Sequence, residues 1–131
     1  MGRLFSASYR FHTWRRLWIT LADCQRELGL PITEEQIAAL KQVADDIDLD
    51  RVAELERRTR HDVVAHLRHF AEQADAVHPG AGGILHLGAT SAFVTDNTDA
   101  LLAREGLKLL AGRLAATLSA LADFARRTRT I

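Results

Sequence analysis

A row of leucines in the last third of the chain constrains the fold most strongly. Leu107, Leu110, Leu114, Leu118, Leu121 and Ala125 follow one another at spacings of three and four residues. This spacing predicts one long helix, from Asp99 to about Arg127, with the apolar stripe of a helical bundle. Such a helix spans about 43 Å, whereas a compact domain of this size has a radius of gyration of about 14 Å. We therefore expect the stripe to pack against a neighbouring subunit or a continuation of the chain.

Residues 13–28 are the first predicted helix, which Thr13 would cap and Gly29 and Pro31 would end. Its apolar residues recur on one face at helical spacing: Trp14, Leu17, Trp18, Leu21 and Leu28. We expect both tryptophans to lie in the core.

A second helix is predicted from about Glu34 to Ala44. Thr33 and Gln36 have capping-box spacing, and Ile32 and Ile37 occupy the two positions of a hydrophobic staple. The helix would bury Ile37, Leu40 and Val43.

Two further helices and a loop complete the pattern. Asp48 or Asp50 is expected to cap a helix that carries Val52 and Leu55. After Thr59 another helix is marked by its apolar positions, namely Val63, Val64, Leu67, Phe70 and Ala71. The glycine-rich segment 78–83 then predicts a loop in which backbone approaches another group closely.

No stretch alternates at period two for long enough to predict a strand. The expected fold class is therefore all-α, with an N-terminal helical domain over residues 1–95 and the first part of a long central-bundle helix over residues 96–131.

Charge and cysteine content narrow the function classes. Seventeen basic residues balance seventeen acidic ones, so we expect neither nucleic acid nor a membrane as the main partner. The single cysteine, Cys24, is expected to be a buried or half-buried thiol in a reducing compartment. The first 30 residues lack a signal-peptide pattern, and no apolar run approaches the ~20 residues of a membrane span. These features predict a cytoplasmic protein.

Two polar clusters could carry chemistry. Arg60, His61 and Asp62 combine a cation, an imidazole and a carboxylate at a helix start, where they could hold an anion. Adjacent helical residues do not face one another, so His61 and Asp62 need not pair and Asp62 could simply be the N-cap. Judged alone, this cluster favours a structural role.

The second cluster comprises Thr90 and Ser91 with the polar run of residues 95–99. Hydroxyl groups and free backbone N–H groups just before a long helix suit a carboxylate ligand. Capping alone would explain them equally well.

Metal and nucleophilic chemistry have weaker support. His66 and His69 share a helix face and follow His61, but no Glu in a metalloprotease pattern and no cysteine pair accompanies them. A triad of Ser91, His61 and Asp62 lacks a nucleophile-elbow motif.

Four segments of the sequence carry a resemblance to a known family: FHTWRRLWITLADCQRELGLPI (11–32), RHDVVAH (60–66), GGILHLGATSAFVTDNTD (82–99) and LSALADFA (118–125). Together they resemble the adenylosuccinate lyases of the fumarase/aspartase superfamily. In order, they are similar to the family's first long helix, its RHD segment, its first signature region and the start of its central bundle helix. The resemblance covers essentially the whole chain in the same order.

The resemblance implies a lyase that removes fumarate from adenylosuccinate and from the succinyl-carboxamide intermediate of purine synthesis. It implies no cofactor and no metal, and a homotetramer whose active sites draw on three subunits. Thr90 and Ser91 would hold a succinyl carboxylate. Arg60, His61 and Asp62 would line the substrate site, with His61 assisting proton handling or orienting the substrate.

The same resemblance places the family's general acid, a histidine, just beyond Ile131 and its general base, a serine, much further along. A substrate-binding Arg-Tyr pair would precede Met1. We therefore expect these 131 residues to be an N-terminal fragment that is inactive alone. Two alternatives stay open: another lyase of the superfamily, of argininosuccinate lyase or cycloisomerase type, and a non-catalytic helical association module.

Overall fold

A computed structural model describes residues 2–130, which form five α-helices and one short 3-10 helix. The α-helices are α1 (Ala7–Glu27), α2 (Glu34–Gln42), α3 (Leu49–Thr59), α4 (Asp62–Val77) and α5 (Ser91–Thr128), and the 3-10 helix is Gly82–Ile84. Residues 2–130 contain no strand, so the all-α prediction is confirmed. None of the helices in this range is long and apolar enough to cross a bilayer.

Helix α1 begins at Ala7, six residues before the predicted cap. Ser6 is the N-cap, and its side chain accepts from the backbone N–H of Tyr9. Thr13 lies inside the helix, is 1% exposed, and donates its hydroxyl to the carbonyl of Tyr9 at 2.8 Å. The prediction of Thr13 as cap was wrong because a threonine hydroxyl can also bond back to the carbonyl four residues earlier.

The apolar face of α1 is confirmed for its tryptophans, since Trp14 and Trp18 are both buried. Leu28 is 81% exposed, and its assignment to that face was wrong because the helix ends at Glu27. The expectation of a buried or half-buried Cys24 was also wrong, since this free thiol lies on the exposed side of the last turns.

Helix α2 has the predicted capping box. The Thr33 side chain accepts from the backbone of Gln36, and the Gln36 side chain accepts from the backbone N–H of Thr33. Ile32 and Ile37 are both buried in the main core, as a staple requires.

Helix α3 is capped by Asp48, whose Oδ1 accepts from the backbone of Asp50 and Arg51 at 3.0 Å. The helix packs against α4 through a small apolar cluster of Val52, Leu55 and Ala65. Helix α4 in turn joins α1 and α2 around the main core, which contains Trp14, Trp18, Leu40, Val63 and Phe70.

Arg15 is a charged residue inside this core and is only 2% exposed. Its guanidinium donates to the carbonyl of Val43 and to Oε1 of Gln73, and it lies 4.5 Å from the centre of the Phe70 ring. Burial lowers the pKa of Arg15 to about 10, and the carboxylates of Asp46 and Asp45 oppose that shift. The hydrogen bonds compensate for the lost hydration, so Arg15 fastens α1 to the end of α2 and to α4.

Helix α5 begins at Ser91 rather than at Asp99. Of the polar run that suggested a later start, Asp96, Asn97 and Asp99 are exposed on the helix surface, and the amide of Asn97 donates to the carbonyl of Phe93 at 2.7 Å. Val94, Thr98 and Leu102 are its buried residues, and their spacing of four places them on one face. The proposed domain boundary at residues 95 and 96 falls inside this helix and stays a prediction.

The leucine stripe of α5 is exposed along its whole length, as expected. The exposed fractions are 65% for Leu107, 54% for Leu110, 57% for Leu114, and 58% for Leu118 and for Leu121. At 38 residues the helix is about 57 Å long. It contacts α1 through its first turns, and the stripe itself has no cover within the described part of the chain.

The stability of the helical core is expected to fall in mild acid because of His66. Its ring lies 3.9 Å from the ring of Phe11, centre to centre, and the residue is 5% exposed. Burial lowers the pKa of His66 to about 4, assisted by the charges of Arg15 and His69 and opposed by Asp62. A histidine in the unfolded chain has a pKa near 6.5. Between about pH 6.5 and pH 4 the unfolded chain therefore binds a proton at this position, whereas His66 in the folded chain stays neutral.

The stability that neutral, buried His66 contributes is complete above about pH 6.5 and is lost as the pH falls towards 4. Between about pH 7.5 and pH 5, the free energy of unfolding should decrease by about 1–2 kcal/mol on account of His66. Denaturant titration at the two pH values measures this loss. His66→Phe, which keeps an aromatic ring but cannot titrate, should show a smaller loss, and equal losses in both proteins would contradict the assignment.

Candidate active site

The first candidate cluster lies at the junction of α3 and α4. Arg60 is the C-cap of α3 and adopts the left-handed conformation with φ of 54°, which is uncommon for a residue other than glycine. This turn reverses the chain and exposes the side chains of Arg60, His61 and Asp62. Arg60 also lines an open depression of about 620 Å³ together with Ala53, Glu56 and Arg57.

His61 and Asp62 are closer than helical geometry alone would require. Nδ1 of His61 lies 3.3 Å from Oδ1 of Asp62, and the same oxygen accepts from the backbone N–H of Val63 at 2.7 Å. His61 is the N-cap residue and Asp62 the first residue of α4, so the suggestion that Asp62 is the cap was wrong. Asp62 therefore belongs to the first turn of α4. Its carboxylate lies beside the imidazole of His61 and can orient that ring.

The second candidate cluster lies at the N-terminus of α5. Thr90 is the N-cap and its side chain makes no capping hydrogen bond. The first N–H groups of a helix have no partner further along the helix. Here the N–H of Phe93 donates to the carbonyl of Thr90 at 2.9 Å, and the cap hydroxyl binds neither the N–H of Ser91 nor that of Ala92. Thr90 is exposed and Ser91 half-buried, so both hydroxyls and the positive end of a long helix dipole are available to an anion.

Helix α1 holds the loop that leads to Thr90. The side-chain amide of Gln25 donates to the carbonyl of Leu87 at 2.9 Å, and Nε1 of Trp18 donates to Nδ1 of His86 at 2.9 Å. The loop is thus fixed to the buried face of α1, which gives the start of α5 a defined position.

His86 is a residue that the sequence did not single out. Its φ is 62°, a left-handed conformation that is unfavourable for a side chain with a Cβ atom. Burial lowers its pKa below the usual value for histidine. Only its position four residues before Thr90 could have drawn attention to it.

The earlier part of the same loop confirms the predicted close approach of backbone. A Cβ atom on Gly82 would lie 2.8 Å from Cβ of Ala71 and 2.7 Å from Oδ2 of Asp75. The other oxygen of Asp75 accepts from the backbone N–H groups of Gly80 and Gly82 at 3.1 and 2.7 Å. This contact anchors the glycine segment to α4.

The two clusters are separate within this chain. Helix α4 has His61 at one end and the glycine segment at the other, and its 16 residues span about 24 Å. Within residues 2–130, no hydrogen bond or ion pair joins residues 60–62 to residues 90–91. Neither cluster completes the other within this chain.

His66 and His69 have structural surroundings. Nε2 of His69 accepts from the backbone N–H of Asp48 at 3.1 Å, and His66 packs against both Phe11 and Trp14. Among the described residues, no three His, Cys, Asp or Glu side chains converge as metal ligands.

The chain is all-α, its helix α5 starts with two hydroxyl residues, and an RHD turn joins α3 to α4. These features fit the class of helical lyases that the sequence resembles. The relevant relatives are adenylosuccinate lyases. That of Schistosoma mansoni is 45% identical over 83% of this chain, and that of Saccharomyces cerevisiae is 40% identical over 95%. That of Schizosaccharomyces pombe is 40% identical over the whole chain. No family model matches the chain.

These similarities show that the chain belongs to the adenylosuccinate lyase family. It spans only about a quarter of the relatives' own length, between 22% and 27% in the three cases.

Proposed function

We propose that these residues form the N-terminal part of a lyase that eliminates fumarate from adenylosuccinate, giving AMP, and from the succinyl-carboxamide intermediate of purine synthesis. The observation that carries the proposal is the start of α5. There, Thr90 and Ser91 sit at the start of a 38-residue helix, and the hydroxyl of the N-cap Thr90 makes no hydrogen bond to the first N–H groups of that helix. That arrangement suits a carboxylate, and each of these substrates carries two on its succinyl group.

The chemistry explains why such a site would help. In the elimination, a base removes a proton beside a carboxylate, and an acid protonates the departing nitrogen. The intermediate is carbanion-like, so negative charge grows on the neighbouring carboxylate. Fixed N–H and O–H donors at the start of α5 would bind that charge more strongly in the transition state than in the substrate.

His61 would line the other part of the substrate site, with Arg60 and Asp62. Asp62, 3.3 Å from Nδ1 of His61, would orient the imidazole so that Nε2 faces the substrate. The ring would then transfer a proton or hold the substrate in place. A carboxylate that is hydrogen-bonded to one ring nitrogen commonly fixes the orientation of a catalytic histidine in this way.

The separation of the two clusters in one chain fits a site completed by other subunits. We propose that the parent enzyme is a cytoplasmic homotetramer that uses neither cofactor nor metal. The exposed leucine stripe of α5 would supply the subunit contacts, so that residues 60–62 of one subunit and residues 90–91 of another meet in one site.

The proposed carboxylate site is tested by Ser91→Ala in a full-length enzyme that contains this segment. Loss of one hydrogen bond to a charged group should weaken transition-state binding by about 1–3 kcal/mol, which is roughly a 5- to 150-fold decrease in kcat/KM. Steady-state fumarate release measures the decrease.

Ser119→Ala is the matched control, because Ser119 is an exposed serine of the same helix outside both clusters. It should leave kcat/KM unchanged. If Ser91→Ala also keeps the full kcat/KM, Ser91 is a helix residue only and the carboxylate site is wrong.

A further inference from the structure

A hydrogen bond between two side chains connects the buried face of α1 to the candidate active site. Nε1 of Trp18 lies 2.9 Å from Nδ1 of His86, and the two ring planes are inclined at 87°. An indole nitrogen can only donate a hydrogen bond, so Nδ1 of His86 must accept and carries no proton. Neutral His86 therefore has its proton on Nε2.

We propose that Trp18 is a positioning residue for the active site, which acts by fixing His86 as the tautomer protonated on Nε2. The loop before α5 would then present an imidazole N–H donor beside Thr90 and Ser91, suited to an anionic oxygen of the substrate. This inference rests on the proposed function for the identity of the ligand. The tautomer itself depends only on the geometry of this chain.

Three features of His86 fit this role better than a purely structural one. Its side chain is only half-buried, so the ring keeps a face towards solvent. Its backbone holds a left-handed conformation with φ of 62°, and such strain persists where the surrounding structure imposes it, often at functional sites. Burial also lowers the pKa of His86, which keeps the ring neutral and the donor form populated.

Trp14 provides an internal comparison one turn earlier on α1. It is 2% exposed and Trp18 is fully buried, and the two ring centres lie 6.3 Å apart. Nε1 of Trp14 is buried without a hydrogen-bond partner. Replacing either tryptophan by Phe removes a similar amount of core volume, but only Trp18→Phe removes a hydrogen bond to His86.

Nuclear magnetic resonance of the isotope-labelled 131-residue chain tests the tautomer directly. We expect a through-hydrogen-bond coupling between the nitrogen nuclei of Trp18 Nε1 and His86 Nδ1, and a ring signature of protonation on Nε2. His86→Gln identifies the signals by removing them. Absence of the coupling in the folded wild-type chain would overturn the proposal, and no variant needs to fold for that result.

A pH titration of the His86 ring supplies the second readout. In Trp18→Phe the neutral form loses its donor, so the proton affinity of His86 should rise by roughly three- to tenfold relative to wild type. Trp14→Phe should leave that affinity unchanged. An equal change in both variants would mean that core packing, rather than the hydrogen bond, sets the state of His86.

In the full-length enzyme, Trp18→Phe should lower kcat/KM for adenylosuccinate roughly three- to tenfold, which corresponds to one lost interaction. In a His86→Gln background the same substitution should have no further effect, because a residue that acts through His86 needs it. Additive losses would overturn the positioning role. An enzyme that lacks lyase activity altogether would instead refute the proposed function, while the resonance experiments would still decide the tautomer.

Discussion

Replacing His61 by Gln in a full-length enzyme that contains this chain is expected to lower turnover by about 10²–10⁴-fold, the range for lost acid–base or orienting assistance. Gln keeps hydrogen-bonding capacity but cannot transfer a proton at neutral pH. The fold should be retained, because His61 is exposed and its side chain makes no capping hydrogen bond to α4. Fumarate release at saturating adenylosuccinate measures the effect, and circular dichroism verifies the fold.

His78→Gln is the matched control for that experiment. His78 lies at the opposite end of α4 as its C-cap, so the substitution makes the same chemical change on the same helix away from both clusters. We expect turnover close to wild type for this variant. Near-normal turnover of His61→Gln would show that His61 is a surface residue of the turn and would remove it from the active site.

The second large effect concerns self-association through the leucine stripe of α5, which comprises Leu107, Leu110, Leu114, Leu118 and Leu121. All five side chains are more than half exposed. Full burial of each is worth about 1.5–3 kcal/mol, so the exposed stripe strongly favours association. We expect dimers or larger species of the chain in solution, with α5 helices packed at small crossing angles as in a bundle.

Changing Leu114 and Leu118 together to Lys should dissociate these species, because unpaired charges cannot be buried in such an interface. Ala116→Lys with Ser119→Lys adds the same charge on the opposite face of α5 and should leave association intact. Sedimentation at high protein concentration distinguishes the cases. A clean monomer for the unmodified chain would show that the stripe does not drive association.

Capping residues predicted where two of the helices start. The capping box of Thr33 and Gln36 marked the start of α2, and Asp48, one of two candidate caps, is the cap of α3. Prediction failed where polar residues had two possible uses. Thr13 and the run of residues 95–99 looked like helix starts. The side chains of Thr13, Thr95 and Asn97 instead donate to carbonyls within their own helices, and the apolar pattern alone could not exclude this.

The candidate site was predictable as residue types but not as geometry. Arg60, His61, Thr90 and Ser91 could be chosen from the sequence because polar groups at helix starts suit anions. The contact of Asp62 with His61 depends on the left-handed turn at Arg60, and the tautomer of His86 depends on Trp18, 68 residues away. Contacts over such distances in sequence leave no periodic pattern, so they become visible only in the folded chain.

The most direct test of the proposed lyase is fumarate release from adenylosuccinate, followed by absorbance. Two polypeptides are compared. One is residues 1–131 alone, and the other is a full-length enzyme that contains this segment. We predict that only the longer polypeptide converts adenylosuccinate to AMP and fumarate, because the family resemblance implies that the acid and the base belong to segments outside residues 1–131. Fumarate release by residues 1–131 alone, or a folded longer polypeptide that leaves adenylosuccinate unchanged, would contradict the proposed role of this chain.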